Sequence, residues 1–147
     1  MITNKKPTVV WFTAITCNGN THSLLSANSN RFELFLNSFD FIYHPSLTID
    51  KSLEEILNQE EKIDFLLIEG SISSNEYIFS LSNNSTKTLL EKLALKSKYI
   101  ICVGSCASFG GIHAKFTQHN DIFSVKKSLE KSILDNLEHQ IINLSGC

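Results

Sequence analysis

The chain has 147 residues, 42% apolar and 19% charged, with a formal net charge of −2. That is about one domain's worth of sequence, long enough to bury roughly two-thirds of the surface its unfolded chain exposes. The charge balance offers no nucleic-acid footprint beyond Lys5–Lys6 and Lys126–Lys127, and no apolar run approaches the roughly 18 residues of a membrane span. Apolar runs alternate with helical patterns, the signature of a parallel sheet covered on both faces. The first strand is predicted at Thr8–Phe12. A helix follows over Thr21–Asn37, with Leu24, Leu25, Phe32, Phe35 and Leu36 at mixed three- and four-residue spacing and Thr21 as its N-cap. The second strand, Phe39–Tyr43, exits through Pro45, which could not donate within a central ladder. Ser52–Gln59 reads as a short helix whose Ser52 and Glu55 form a capping box. A third strand covers Ile63–Ile68. The helix Thr86–Leu95 sets Leu89, Leu90, Leu93 and Ala94 on one face behind a Ser85 cap, and a fourth strand covers Tyr99–Val103. Asp121–Leu137 is predicted helical from Ile122, Val125, Leu129, Ile133 and Leu137, and the last strand is Ile141–Leu144. Five strands with intervening helices predict an α/β, flavodoxin-like three-layer sandwich with a five-stranded parallel sheet of order 2-1-3-4-5. No linker, repeat or low-complexity stretch divides it, so residues 1–147 are expected to form a single domain.

The strand C-termini of such a sheet share one edge, and ligands bind in crevices outside that edge. Cys17, Cys106 and Cys147 each lie just past a strand, in the loops TAITCNGNT, GSCASFGG and SGC. The remaining loop of that edge carries Glu69-Gly70. Cysteines scattered at random would rarely fall in three of those four loops. Thiolates brought to a shared edge from remote parts of a chain point to a soft metal or an iron–sulfur cluster. Cys102 lies inside a strand and reads as a small buried hydrophobe. The lack of a CxxC pair weakens both a zinc-ribbon and a thioredoxin reading. The start, MITNKKPTVVWF, has neither a signal-peptide apolar region nor a twin arginine, so a cytoplasmic location is expected unless an export leader has been removed.

Taken together, VVWFTAITCNGNTHSLL, DFLLIEGSI, ICVGSCASFGGI and INLSGC resemble, in order and separation, the N-terminal domain of the small subunit of [NiFe] hydrogenases. More distantly they resemble the cluster-bearing subunit of respiratory complex I. The resemblance spans nearly the whole chain. It implies a flavodoxin-like domain that holds a [4Fe–4S] cluster next to a catalytic large subunit. The family's ligands are a Cys-x-x-Cys after the first strand, a Cys in a Gly-x-Cys-Ala loop and a Cys in a late Gly-Cys-Pro. Cys17, Cys106 and Cys147 match the first, third and fourth, whereas the second falls on Asn20. The sequence also departs from the family at Thr16, where an acidic residue is common, and at His22, where a glutamate is usual. The family's small subunits continue past the last cysteine into a second domain with further clusters. This sequence stops at Cys147, so at most one cluster is implied.

A [4Fe–4S] cube has four irons, each normally bound by one thiolate, and the neutral amide oxygen of Asn20 is a weak, hard donor. The incomplete set allows a [4Fe–4S] cluster with an exchangeable ligand (water, an external thiol or His22), or a [3Fe–4S] cluster. The leading expectation is electron transfer between a large subunit and a redox partner, with no turnover by this chain alone. Three other readings stay open. Cys17, Cys106, Cys147 and His22 could bind zinc as Cys₃His. A degenerate, cluster-free chain could act as a scaffold that docks a large subunit or an assembly protein. TAITCNGNTHS, between a strand and a helix, could be a flavin or phosphate loop, where amides and the helix dipole favour anions. Glu69 is either a hydrogen-bonding group of the site or a solvated carboxylate. Gly70, Gly104, Gly110 and Gly111 are expected to let backbone turn tightly or approach the site. Trp11 and Phe12 read as core, and His113 and His119 as solvent-exposed residues without partners. No GxSxG elbow or Ser–His–Asp order favours hydrolysis.

Overall fold

The computed structural model describes residues 5–48, 51–78, 80–81, 84–116, 121–137 and 140–146. Its first half runs β1 (Thr8–Thr13), α1 (Gly19–Leu25), α2 (Ser29–Ser38), β2 (Asp40–Tyr43), α3 (Leu53–Asn58), β3 (Ile63–Glu69) and β4 (Ile72–Ser73). Then come β5 (Ser80–Leu81), β6 (Asn84–Ser85), α4 (Thr86–Ala94), β7 (Ser97–Val103), α5 (Gly104–Phe109), α6 (Gly111–Phe116), β8 (Ile122–Phe123), α7 (Val125–Ser128), α8 (Lys131–Leu137) and β9 (Ile141–Leu144). Five strands form one all-parallel sheet of order β2-β1-β3-β7-β9, which is the 2-1-3-4-5 order expected. Two short antiparallel pairs, β4 with β8 and β5 with β6, lie outside it.

Registered partners in a parallel sheet share a face, so the pairings sort the core. Val10, Leu66 and Ile100 form one row, and Phe12, Ile68 and Cys102 the next. All six are buried, under Leu53 and Ile56 of α3, Leu89, Leu90 and Leu93 of α4, and Val125 of α7. Burying a Leu, Ile or Phe side chain contributes roughly 1.5–3 kcal/mol, so these rows hold the sheet to its helices. The opposite face is covered unevenly. The row Trp11–Leu67–Ile101–Ile142 runs from 4% exposure at Trp11 to 47% at Ile142. Its sheltered end lies near α2, whose Phe35 meets Phe41 of β2 with ring centroids 5.4 Å apart.

Several elements follow the sequence expectation closely. Ser52 and Glu55 make the capping box of α3, and the Ser85 side chain accepts from the Thr88 amide at the start of α4. Others differ. The helix expected over Thr21–Asn37 is two helices. Asn28 leaves the helical region at ψ 134° and its side chain accepts from the Asn30 N–H at 3.1 Å, starting α2. Asparagine favours this local bond over a helix interior. The helix expected over Asp121–Leu137 is β8, α7 and α8. Phe123 and Ile122 pair with Ile72 and Ser73, and Ser124 then caps α7 by accepting from the Lys127 N–H. The loop expected at GSCASFGG is largely the helix α5.

Candidate functional site

Glu69, the last residue of β3, is fully buried. A solvated carboxylate is therefore excluded. The helix α1 opens on Asn18, whose φ of 58° is left-handed and whose side chain provides no cap. Glu69 caps the helix instead. Its carboxylate accepts from the Asn20 N–H at 2.9 Å, from the Thr21 N–H at 3.2 Å, and from the hydroxyls of Thr21 and Thr16. Thr21 is thus inside the helix and is not its N-cap. The same bonds remove the phosphate-loop reading, because the amides that would receive an anion already hold this carboxylate. Thr16 also accepts from the Asn18 N–H at 3.0 Å, which folds the loop carrying Cys17 onto itself. Cys17 is exposed on that loop, and His22 is exposed on α1.

Three strand-end loops meet at Gly104. A Cβ placed there would collide with the Asn20 side-chain amide and lie 3.2 Å from the Gly146 carbonyl oxygen. Gly104 also has φ +84°, which other L-residues rarely adopt. The Ser105 N–H donates to the same Gly146 carbonyl at 2.9 Å. The segment after β1, the start of α5 and the segment after β9 are thereby held at one corner of the sheet edge. Cys147 follows Gly146 but lies outside the described residues.

Cys106 is half-buried in α5. A Cβ at Gly111, where φ is +59°, would sit 2.5 Å from the Cys106 Sγ, so glycine there makes room for the thiol. Gly70 and Gly110 share the positive φ expected of backbone that turns at this edge. Cys102 is buried in the core as expected, and burial pushes its thiol up to about 12. Trp11 and Phe12 are core residues. His113 is half-buried and takes part in an interaction, contrary to the exposed state expected; His119 lies outside the described residues.

The donor set fits part of a cluster. Cys17 and Cys106 lie on two of the joined segments, and position 20 presents an amide to Gly104 where a fourth thiolate would be wanted. Among the described residues, no three His, Cys, Asp or Glu side chains surround a common metal position. Any third thiolate at this edge would have to come from Cys147, outside the described residues. One neighbour carries no sequence motif. His44, immediately after β2, is fully buried, stacks at a tilt on Trp11 with centroids 5.1 Å apart, and accepts from the Ser46 N–H at Nδ1. Burial pulls its pKa below the ordinary value, and the Glu69 charge opposes that shift. The position just past a strand end is the one signal in the sequence that could have drawn attention to it.

Comparison with known proteins agrees with this fold. The family described as NADH ubiquinone oxidoreductase, 20 Kd subunit, matches residues 17–147. The periplasmic [NiFeSe] hydrogenase small subunit of Desulfomicrobium baculatum is 26% identical, over 97% of this chain and 50% of its own length. The hydrogenase-2 small chain of Escherichia coli strain K12 is 26% identical over 99% of this chain and 40% of its own. The chain thus spans half or less of the length of these curated relatives. The crystal structure of a reduced, active form of the Desulfomicrobium baculatum Ni-Fe-Se hydrogenase shares the fold with a TM-score of 0.75 at 24% identity, covering 97% of this chain and 57% of that one. No helix among the described residues is long and apolar enough to cross a membrane. The sheet order, the strand-end cysteines and these similarities together establish that the chain belongs to the NADH ubiquinone oxidoreductase 20 Kd subunit family and resembles the N-terminal domain of [NiFe] hydrogenase small subunits.

Proposed function

We propose that this chain is an electron-transfer component that holds one iron–sulfur cluster through Cys17, Cys106 and Cys147, beside the catalytic large subunit of a hydrogenase-type enzyme. The observation that carries the reading is the meeting of Asn20 and Gly146 at Gly104, which gathers the segments bearing all three cysteines. A bound cluster would supply one-electron transfer. The chain's own residues fix the loops. Glu69 anchors the Cys17 loop from below, Gly111 leaves space for the Cys106 thiol, and Ser105 ties the Gly146 carbonyl to α5. Asn20 leaves one corner without a thiolate, which favours an exchangeable ligand or a three-iron form.

A second reading, a cluster-free scaffold for a large subunit or assembly protein, draws on Asn20 and on Phe109 at the end of the cysteine helix and Ile112 just past it, each 64% exposed. Anaerobic purification with iron and sulfide analysis, followed by EPR before and after reduction, separates the two. About three to four irons per chain with a reduction-dependent EPR signal support the cluster. No iron after anaerobic reconstitution overturns it. Cys106→Ala is expected to remove more than half of the bound iron; unchanged iron means the ligand assignment is wrong.

A further inference from the structure

Two depressions adjoin on the surface built by α5, α6, α7 and α8. The larger, about 500 Å³, sets Phe109, Leu129 and Leu134 among Lys126, Lys127 and Lys131. Its neighbour, about 340 Å³, shares Phe109 and Lys127 and adds Ile122 and Phe123. The sequence explains the arrangement. Gly110 closes α5 in a left-handed C-cap just after Phe109, and Phe109 is left 64% exposed. Ser124 starts α7 so that Lys126 and Lys127 fall in its last turn, and Lys131 opens α8 two residues past Leu129. All three lysines are exposed, and among the described residues none that lines either depression is acidic.

Phe109 stands exposed over a floor of half-buried Leu134 and buried Leu129, and an exposed aromatic on an apolar depression rimmed by charge marks an interaction site. The ammonium groups of Lys127 and Lys131 suit carboxylates, and the apolar wall suits aliphatic side chains. An amphipathic helix supplies both, with anchors at i, i+3, i+4 and i+7 on one face and acids beside them. The surface is concave, so a helix can enter it where a flat lipid headgroup layer cannot. We infer that this groove docks an acidic amphipathic segment of a partner protein, with its apolar side chains against Phe109, Leu129 and Leu134 and its carboxylates facing Lys127 and Lys131. Phe109 belongs to the helix that carries Cys106, so a segment docked there lies alongside the candidate cluster edge. The inference does not rest on the cluster reading, because among the described residues no cysteine lines the groove.

The test uses the full chain, titrated with a fluorescent helical peptide bearing Leu at those spacings and Glu elsewhere. A Lys-for-Glu version of the peptide and phosphatidylserine vesicles serve as the alternative probes. Saturable binding of the acidic peptide is expected. The Lys127→Glu, Lys131→Glu double variant should bind it at least about tenfold more weakly, and added salt should weaken binding because exposed charge pairs are screened. Phe109→Ser should weaken it as well, with circular dichroism confirming that both variants stay folded. No saturation at millimolar peptide, equal binding of the Lys version, indifference to both variants, or preference for the vesicles overturns the proposal. Iron content recorded on the same samples keeps this outcome separate from that of the cluster.

Discussion

The Thr21 hydroxyl donates to the Glu69 carboxylate across 48 residues of sequence, joining the first helix to the end of the third strand. That carboxylate also receives the Asn20 and Thr21 amides, so one buried charge organises the loop on which Cys17 lies. Glu69→Gln turns an acceptor-only group into one that must point an N–H₂ at donors. A hydrogen bond to a charged group is worth about 1.5–3 kcal/mol, and a loss of that order is expected in thermal unfolding. Thr21→Val, which removes a single hydroxyl donor to that charge, should cost about 1.5 kcal/mol, the lower end of the same range. Amide exchange at Asn20 and Thr21 should quicken in the glutamine variant; wild-type melting and exchange in both would deny Glu69 this role.

Asn20→Cys restores the fourth thiolate of the family pattern. Under the cluster proposal, reconstituted protein should hold more iron than the wild type and lose it more slowly in air. Iron content and decay rate equal to wild type would show that position 20 does not face the metal.

Gly111→Ala places a methyl 2.5 Å from the Cys106 Sγ on backbone with φ +59°. The left-handed conformation alone costs a non-glycine residue roughly 1–2 kcal/mol. The variant should melt lower than wild type and retain less iron, whereas Ile112→Ala next to it should leave iron retention unchanged.

Stability should fall in mild acid because of His44. Burial holds its folded pKa below the ordinary value of 6.5, the pull of Glu69 notwithstanding. As pH falls, the unfolded chain therefore takes up the proton first. The contribution is present above about 6.5 and is lost as pH drops through the folded value. Urea midpoints should be higher at about pH 7.5 than at about pH 5.5, and His44→Phe should shrink that difference. An unchanged pH dependence in the variant would assign the effect elsewhere.

Thiol chemistry should separate the cysteines of the iron-free chain. With burial pushing it to about 12, Cys102 is almost wholly protonated at neutral pH, and the thiolate is the nucleophile. Iodoacetamide at about pH 8 should modify the exposed Cys17 in the native protein and reach Cys102 only after denaturant is added, as peptide mass mapping would show.

The strands were legible because Val, Ile and Phe runs are short and end in polar turns, and Ile141–Leu144 falls on the residues expected. The capping box at Ser52 was legible because both of its members are local. Where tertiary pairing decides, the sequence was silent. Ile122 and Phe123 keep helical spacing with Val125 and Leu129 yet join a strand whose partner lies at Ile72–Ser73. The helix α5 forms in a Gly- and Ser-rich run that intrinsic propensity disfavours. The common edge of the Cys17 and Cys106 segments followed from strand ends alone. The role of Glu69 did not, since its acceptors' partners are backbone amides remote in sequence, and His44 had no motif to announce it.

The binding of Gly146 to Ser105 and its approach to Gly104 also bear on the order in which the molecule matures. β9 is an edge strand, paired on one side with β7, and it is synthesised after every other strand of its sheet. The corner formed by Asn20 and Gly104 can therefore exist before its third member arrives. Anything that binds across all three segments and not to the unfolded chain stabilises the closed state by mass action. Such a ligand would act as a clasp, locking the last strand onto a sheet already formed and making its docking hard to reverse.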